Sequence, residues 1–186
     1  MKRDLKMTEV RKCFKGIFLC AFFSLFFCFN VFALTATDVF AQTAGRAKAE
    51  SLIKESAVLS EDGNIDKAVE ISKEAVKADP DYAEAHDQLG QMLLKKGSYD
   101  EAISSFNSGL KINPRLRSAK TGIGFALLKK GDLKGAETVL KEALMLNPYP
   151  SMAHYALGLV YEKLNDYDKA VIQFKEGIQK YKSGKK

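Results

Sequence analysis

The chain has 186 residues, 28% of them charged, with 29 Lys and Arg against 23 Asp and Glu for a formal charge of +6. That length holds about one domain of ordinary size. Six of the basic and three of the acidic residues lie in the first 41, so the remainder carries 23 basic against 20 acidic side chains, a net of +3 that is too small and too mixed to indicate a nucleic-acid partner.

At the N-terminus Lys2, Arg3, Lys6, Arg11, Lys12 and Lys15 precede an apolar run of 18 residues, Ile17 to Leu34, interrupted by Ser24 and Asn30. A basic flank before an apolar stretch is the layout of an export signal: the charge stays on the cytoplasmic side while the apolar run enters the bilayer. Two Val-Phe-Ala triplets, ending at Ala33 and Ala41, supply the small residue that a signal peptidase requires, and cleavage after Ala41 leaves Gln42 first. The competing expectation is an uncleaved anchor in the inner membrane, because the run approaches the roughly 20 residues that span a bilayer. Initiation at Met7 would shorten the basic region and give the same exported product. Cys13, Cys20 and Cys28 all fall within this segment, so residues 42–186 hold no thiol and can form neither a disulfide nor a cysteine metal site. Cys20 follows Leu19 and Cys28 follows Phe27, which disfavours lipoprotein processing.

Beyond a short linker, 42–46, a 34-residue period governs the sequence. Ala68, Ala102, Ala136 and Ala170 keep it, as do Pro80, Pro114 and Pro148. So do Gly90, Gly124 and Gly158, and Gly63, Gly97 and Gly131 with Asn165 in the fourth place. Within each unit two stretches with helical apolar spacing flank the second glycine column, which predicts helix, turn, helix. Gly63, Gly97, Gly131 and Asn165 stand where the first helix must stop in a left-handed conformation. The prolines, each after Asp or Asn, close the second helix through a missing N–H and a fixed φ. Gly90, Gly124, Gly158 and the alanines cost helix propensity, about 1 kcal/mol for each glycine, which close helix-to-helix contact would offset.

Leu89-Gly90, Ile123-Gly124 and Leu157-Gly158, followed by the alanine, a large apolar residue (Phe106, Leu140, Phe174) and the proline, resemble the tetratricopeptide repeat over residues 47–182. The resemblance implies an all-α fold, an α-solenoid of about four hairpins at 47–80, 81–114, 115–148 and 149–182, with a basic tail at 183–186. The first copy is the weakest, with Glu55-Ser56 in place of Leu-Gly and Ser72 in place of the large residue. A lone hairpin cannot bury its apolar face, so stability comes from stacking. Little chain follows Ile178 to cover Val171, Phe174 and Ile178 of the last hairpin. The expectation is a lengthened final helix capped by its own charges, and the alternative is a surface for self-association or for a partner.

The family resemblance also implies that the first helices line a concave groove. With Leu89, Gly90 and Leu93 turned to the partner helix, Glu84, Asp87, Gln91 and Leu94 share another face. The matching rows are Ser118, Thr121, Phe125 and Leu128, then Met152, Tyr155, Leu159 and Glu162. The groove candidates are therefore Asp87, Gln91, Leu94, Thr121, Phe125, Leu128, Met152, Tyr155 and Leu159. The apolar and aromatic ones are the expected anchors for a peptide with apolar side chains. Leu128 is the candidate that hairpin packing would most readily claim. The family's terminal-carboxylate clamp is not implied, because acidic, neutral or apolar residues fill its places.

No catalytic constellation, cofactor site or metal site is expected. His86 and His154 match each other two repeats apart, about 20 Å at the usual helix spacing, which excludes a shared metal. Asp62, Asn64 and Asp66 around Gly63 lack the remaining ligands of a calcium loop. Lys180, Lys182, Lys185 and Lys186 form a short basic tail that could meet anionic lipid. The expected function is a non-enzymatic protein-binding module of the periplasm or cell envelope. Its rivals are a membrane-anchored scaffold subunit of a secretion or pilus-type assembly, and a docking or regulatory subunit for an enzyme encoded elsewhere.

Overall fold

The computed structural model describes residues 42–146 and 150–183, so residues 1–41, where the export signal is expected, residues 147–149 and residues 184–186 lie outside the described residues. Among the described residues there are eight helices and no strand. They are α1 (42–61), α2 (Ile65–Ala78), α3 (Ala83–Lys96), α4 (Tyr99–Ile112), α5 (Arg117–Lys130), α6 (Leu133–Leu146), α7 (Ser151–Lys163) and α8 (Tyr167–Ser183). The pairs α1–α2, α3–α4, α5–α6 and α7–α8 are the four expected hairpins. Two boundaries move. Residues 42–46, taken above as a linker, are already helical, and α8 runs through Ser183.

The longer first helix has a local cause. Arg46 Nε bonds Asp79 Oδ2 at 2.5 Å and its guanidinium lies 3.9 Å from the centroid of the Tyr82 ring, so the loop after α2 fixes the first turns of α1. The turns inside the hairpins follow the glycine column. Gly63, Gly97 and Gly131 have φ of 81°, 91° and 87°, and Asn165 adopts 60°. α2 and α4 end at Asp79 and Asn113, whose side chains accept the N–H two residues on, from Asp81 and Arg115, each at 3.1 Å across the proline. The Asx-Pro pair thus stops the helix and also satisfies a donor that the turn would otherwise orphan.

Packing between and within hairpins rests on glycine against a large side chain. A methyl built on Gly90 would lie 2.6 Å from the Phe106 ring, one on Gly122 2.4 Å from the same ring, one on Gly124 2.4 Å from Leu140, and one on Gly158 2.4 Å from Phe174. Phe106 and Leu140 are fully buried, and with Val69, Leu93, Leu157 and Val160 they form the core that runs along the stack. Where the first repeat meets the second, the corresponding columns hold Ser56 and Ser72 of the first hairpin and Gln88 of α3. There Ser56 Oγ and Ser72 Oγ are 2.7 Å apart, and Gln88 Nε2 donates to Ser56 Oγ at 3.1 Å. A buried hydrogen-bond network therefore replaces the aromatic wedge.

The layers are unequal. α3 packs on α5 and α5 on α7, whereas α2, α4, α6 and α8 touch only first helices and not one another. First helices thus make the tighter inner row and second helices the splayed outer one. Across the turns, Lys96 pairs with Asp66 at 2.7 Å, and Lys130 pairs with Asp100 one repeat later.

Candidate functional site

The inner row of first helices bounds a cavity of about 800 Å³. α3 contributes Glu84, Gln91, Leu94 and Lys95; α5 contributes Arg117, Ser118, Thr121, Gly122 and Phe125; α7 contributes Met152. Asn113, Arg115 and Leu116 from the α4–α5 loop close one end. Five of the nine residues expected from sequence, Gln91, Leu94, Thr121, Phe125 and Met152, are brought together here. Met152 is 59% exposed, whereas Thr121 is 9% exposed and returns its hydroxyl to Arg117 O at 3.2 Å.

Tyr155, 48% exposed, continues this surface. Its ring centroid lies 6.4 Å from that of Phe125 and 5.9 Å from that of Phe174, tilted by 43° and 45°. The tilted geometry suits aromatic quadrupoles and links the cavity wall to the core of the last hairpin.

Three expected wall residues sit elsewhere. Leu128 is 8% exposed and packs with Leu140, Leu157 and Val160, so hairpin packing claims it and no ligand can rest on it. Leu159 leans on the same core and does not line the cavity. Asp87 is 7% exposed, beneath the wall: Gln91 Nε2 donates to its Oδ2 at 2.9 Å while Oδ1 has no partner. Burial raises the Asp87 pKa, and the neighbouring Ser118 hydroxyl and Gln91 amide offset this in part. Asp87 therefore orients Gln91 and does not form the surface itself.

The sequence reading missed the polar part of the lining: Lys95 in the last turn of α3, and Asn113, Arg115 and Arg117 around the start of α5. A signal was present. Of the loops after Pro80, Pro114 and Pro148, the second alone carries two arginines, in Arg115-Leu116-Arg117.

The histidines serve packing. His86 Nε2 meets Pro80 O at 2.9 Å and His154 Nδ1 meets Gln173 Oε1 at 2.9 Å. Among the described residues no group of three or more His, Cys, Asp or Glu could hold a metal ion, and no helix is long and apolar enough to cross a membrane.

Four stacked helical hairpins with first helices around a cleft define an α-solenoid of the peptide- and protein-binding kind. The chain belongs to the tetratricopeptide repeat family, whose models match residues 59–121 and 122–184. Members of this family generally act as non-catalytic interaction modules. Among solved structures, it is similar to TTC0263, a thermophilic protein of this repeat class from Thermus thermophilus. The two are 26% identical, with a TM-score of 0.66 over 70% of this chain and 73% of that one. MamA from Desulfovibrio magneticus RS-1 is 22% identical, with a TM-score of 0.61 over 73% of this chain and 76% of that one. The second repeat domain of human RPAP3, solved with the HSP70 peptide SGPTIEEVD, is 21% identical, with a TM-score of 0.58 over 62% of this chain and 97% of that one. No curated protein matches the chain.

Proposed function

We propose that this protein is a non-enzymatic interaction module of the cell envelope that holds a peptide segment of a partner protein in the cleft between α3, α5 and α7. The observation that carries the reading is convergence. Residues from three successive first helices, predicted separately as one face each, line a single cavity of about 800 Å³, within the size range of ligand sites. Leu94, Phe125 and Met152 offer apolar contact at its centre, with Tyr155 beside them, and Gln91 supplies a hydrogen-bonding amide held in place by Asp87. A peptide with apolar anchors suits this lining, and the peptide bound by the RPAP3 domain supports such an occupant for the fold.

The envelope location rests on the basic flank, the apolar run and the Val-Phe-Ala triplets of the first 41 residues. The length of the run favours a second reading, an anchored scaffold subunit, and mass spectrometry of the mature N-terminus separates the two. The groove itself is tested by crosslinking capture from intact envelopes with the parent chain and with Phe125→Ala plus Tyr155→Ala. Large apolar anchors contribute about 2 kcal/mol each, so the paired change should weaken capture by more than about tenfold. If every partner is captured equally while helix content is unchanged, the groove reading is wrong.

A further inference from the structure

Each second helix turns four positions toward the next hairpin. In α4 they are Tyr99, Ile103, Phe106 and Leu110, and α5 packs over them, leaving Phe106 fully buried and Ile103 and Leu110 packed on the core. In α6 they are Leu133, Glu137, Leu140 and Leu144. Leu140 is fully buried where α7 packs on α6, and Glu137 accepts from the Tyr161 hydroxyl of α7 at 2.9 Å, so that of the two faces only that of α4 matches the α8 face in being apolar at all four places. The same positions of α8 are Tyr167, Val171, Phe174 and Ile178. Tyr167 is 62% exposed, Val171 49% and Ile178 57%, and Phe174 is partly buried against α7 alone. The stacking face therefore recurs in full, apolar at all four places, with no other described residue packed over it. An apolar face of this kind marks an interface.

The opposite end of the stack does not fit it. In α5 the residues applied to α4 are Ala119, Gly122 and Ala126, and a methyl on Gly122 would already touch Phe106 at 2.4 Å. Their counterparts on α1 are Ser51, Lys54 and Val58. A second copy added head to tail would set Lys54 against the Phe174 ring, where the inner repeats place glycine or alanine. Open polymerisation is thereby disfavoured, and a closed arrangement of like with like remains.

α8 complements itself. Its four exposed-side residues are spaced by four, three and four, the spacing of a seam between paired helices. Antiparallel pairing would bring Asp168, in the first turn, toward Lys182, on the same flank of the seam in the last turn of the other helix; neither is in an ion pair among the described residues. Parallel pairing would set like charges together. We infer that two copies of this chain join through α8 as an antiparallel two-fold dimer. The seam from Tyr167 to Ile178 is short, about 18 Å at 1.5 Å per residue, which places the dimer among weaker interfaces. The cleft between α3, α5 and α7 does not include α8 and stays open in the dimer.

Sedimentation of the full chain in mild detergent at about 50 µM, a concentration suited to micromolar association, should give a dimer. Val171→Lys plus Ile178→Lys should convert it to monomer with unchanged helix content, and Val58→Lys should leave it dimeric. A second measurement uses the cysteines. With Cys13, Cys20 and Cys28 changed to Ser, the Lys175→Cys variant should crosslink to itself through a short bis-maleimide, because a two-fold axis brings the flanks of the two helix midpoints within reach of a linker. A monomeric parent overturns the inference. So does a dimer that survives the α8 changes, one abolished by Val58→Lys, or a Lys175→Cys variant that fails to crosslink.

Discussion

At Asp87 a carboxylate lies beneath the groove wall with Gln91 on one oxygen and nothing on the other. Burial holds its folded pKa above the ordinary carboxylate range. The folded state then binds more protons than the unfolded chain, so the stability linked to this group is fully present below the unfolded pKa and is lost as pH rises through the folded one. Asp66, Glu137 and Asp166 have the opposite sign. Bonded by Lys96, by Lys141 and Tyr161, and by Lys169, they are shifted down and lose their contribution as pH falls. Asp87→Asn should therefore stabilise the protein at neutral pH, because the amide oxygen still accepts from Gln91 and no charge is buried. In urea titrations the advantage should vanish toward about pH 3, where the carboxyl is already neutral. A pH-independent difference would assign the effect to something other than titration. Asp87 and Leu128 show where residue-level reading ends. Helical spacing groups each with the groove candidates as an angle around its own helix. Their burial depends on how closely α3 approaches α5 and α5 approaches α7, which no single helix encodes.

Elements repeat by geometry before they repeat by residue. The second, third and fourth hairpins wedge a large side chain against glycine, and the first closes the same space with Ser56, Ser72 and Gln88 in hydrogen bonds. The three columns exchange as a set, because a phenyl ring at 72 would meet the Ser56 and Gln88 side chains where Phe106 meets two glycines. Ser72→Phe alone should destabilise by about 1–3 kcal/mol, the range of overpacked cores. The triple change Ser56→Gly, Ser72→Phe and Gln88→Gly should melt well above the temperature expected from summing the three single changes, although each added glycine still costs about 1 kcal/mol of helix propensity. Full additivity of the three single changes would refute the coupling. The hairpins, their glycine turns and the Asx-Pro stops were all legible in the period, since backbone conformation dictates those residues directly. The serine network was legible only as a departure from it. That Ser56, Ser72 and Gln88 meet is a fact about two hairpins stacked, and it came from the structure.

Across the whole molecule the stack has a polar end and an apolar end. In such linear assemblies each hairpin depends on its neighbours, and stability is a sum of units and contacts between them. α1 has a neighbour on one side, exposes Ser51, Lys54 and Val58 on the other, and meets the second hairpin partly through hydrogen bonds. Its amides should exchange with solvent earliest among the described helices, and those of α4, α5 and α6 latest, in native-state hydrogen exchange. Protection of α1 equal to that of α5 would contradict this gradient.

The unequal rows carry a mechanical consequence. First helices bear on one another, while second helices bear only on first helices. Successive hairpins are nonetheless joined mainly at the back, where Phe106 of α4 lies against Gly122 of α5 and α6 packs on α7. The spacing of α3, α5 and α7, and with it the width of the cleft, is therefore set by side chains that a bound peptide never touches, and trimming residue 106 or 140 should alter what the cleft accepts.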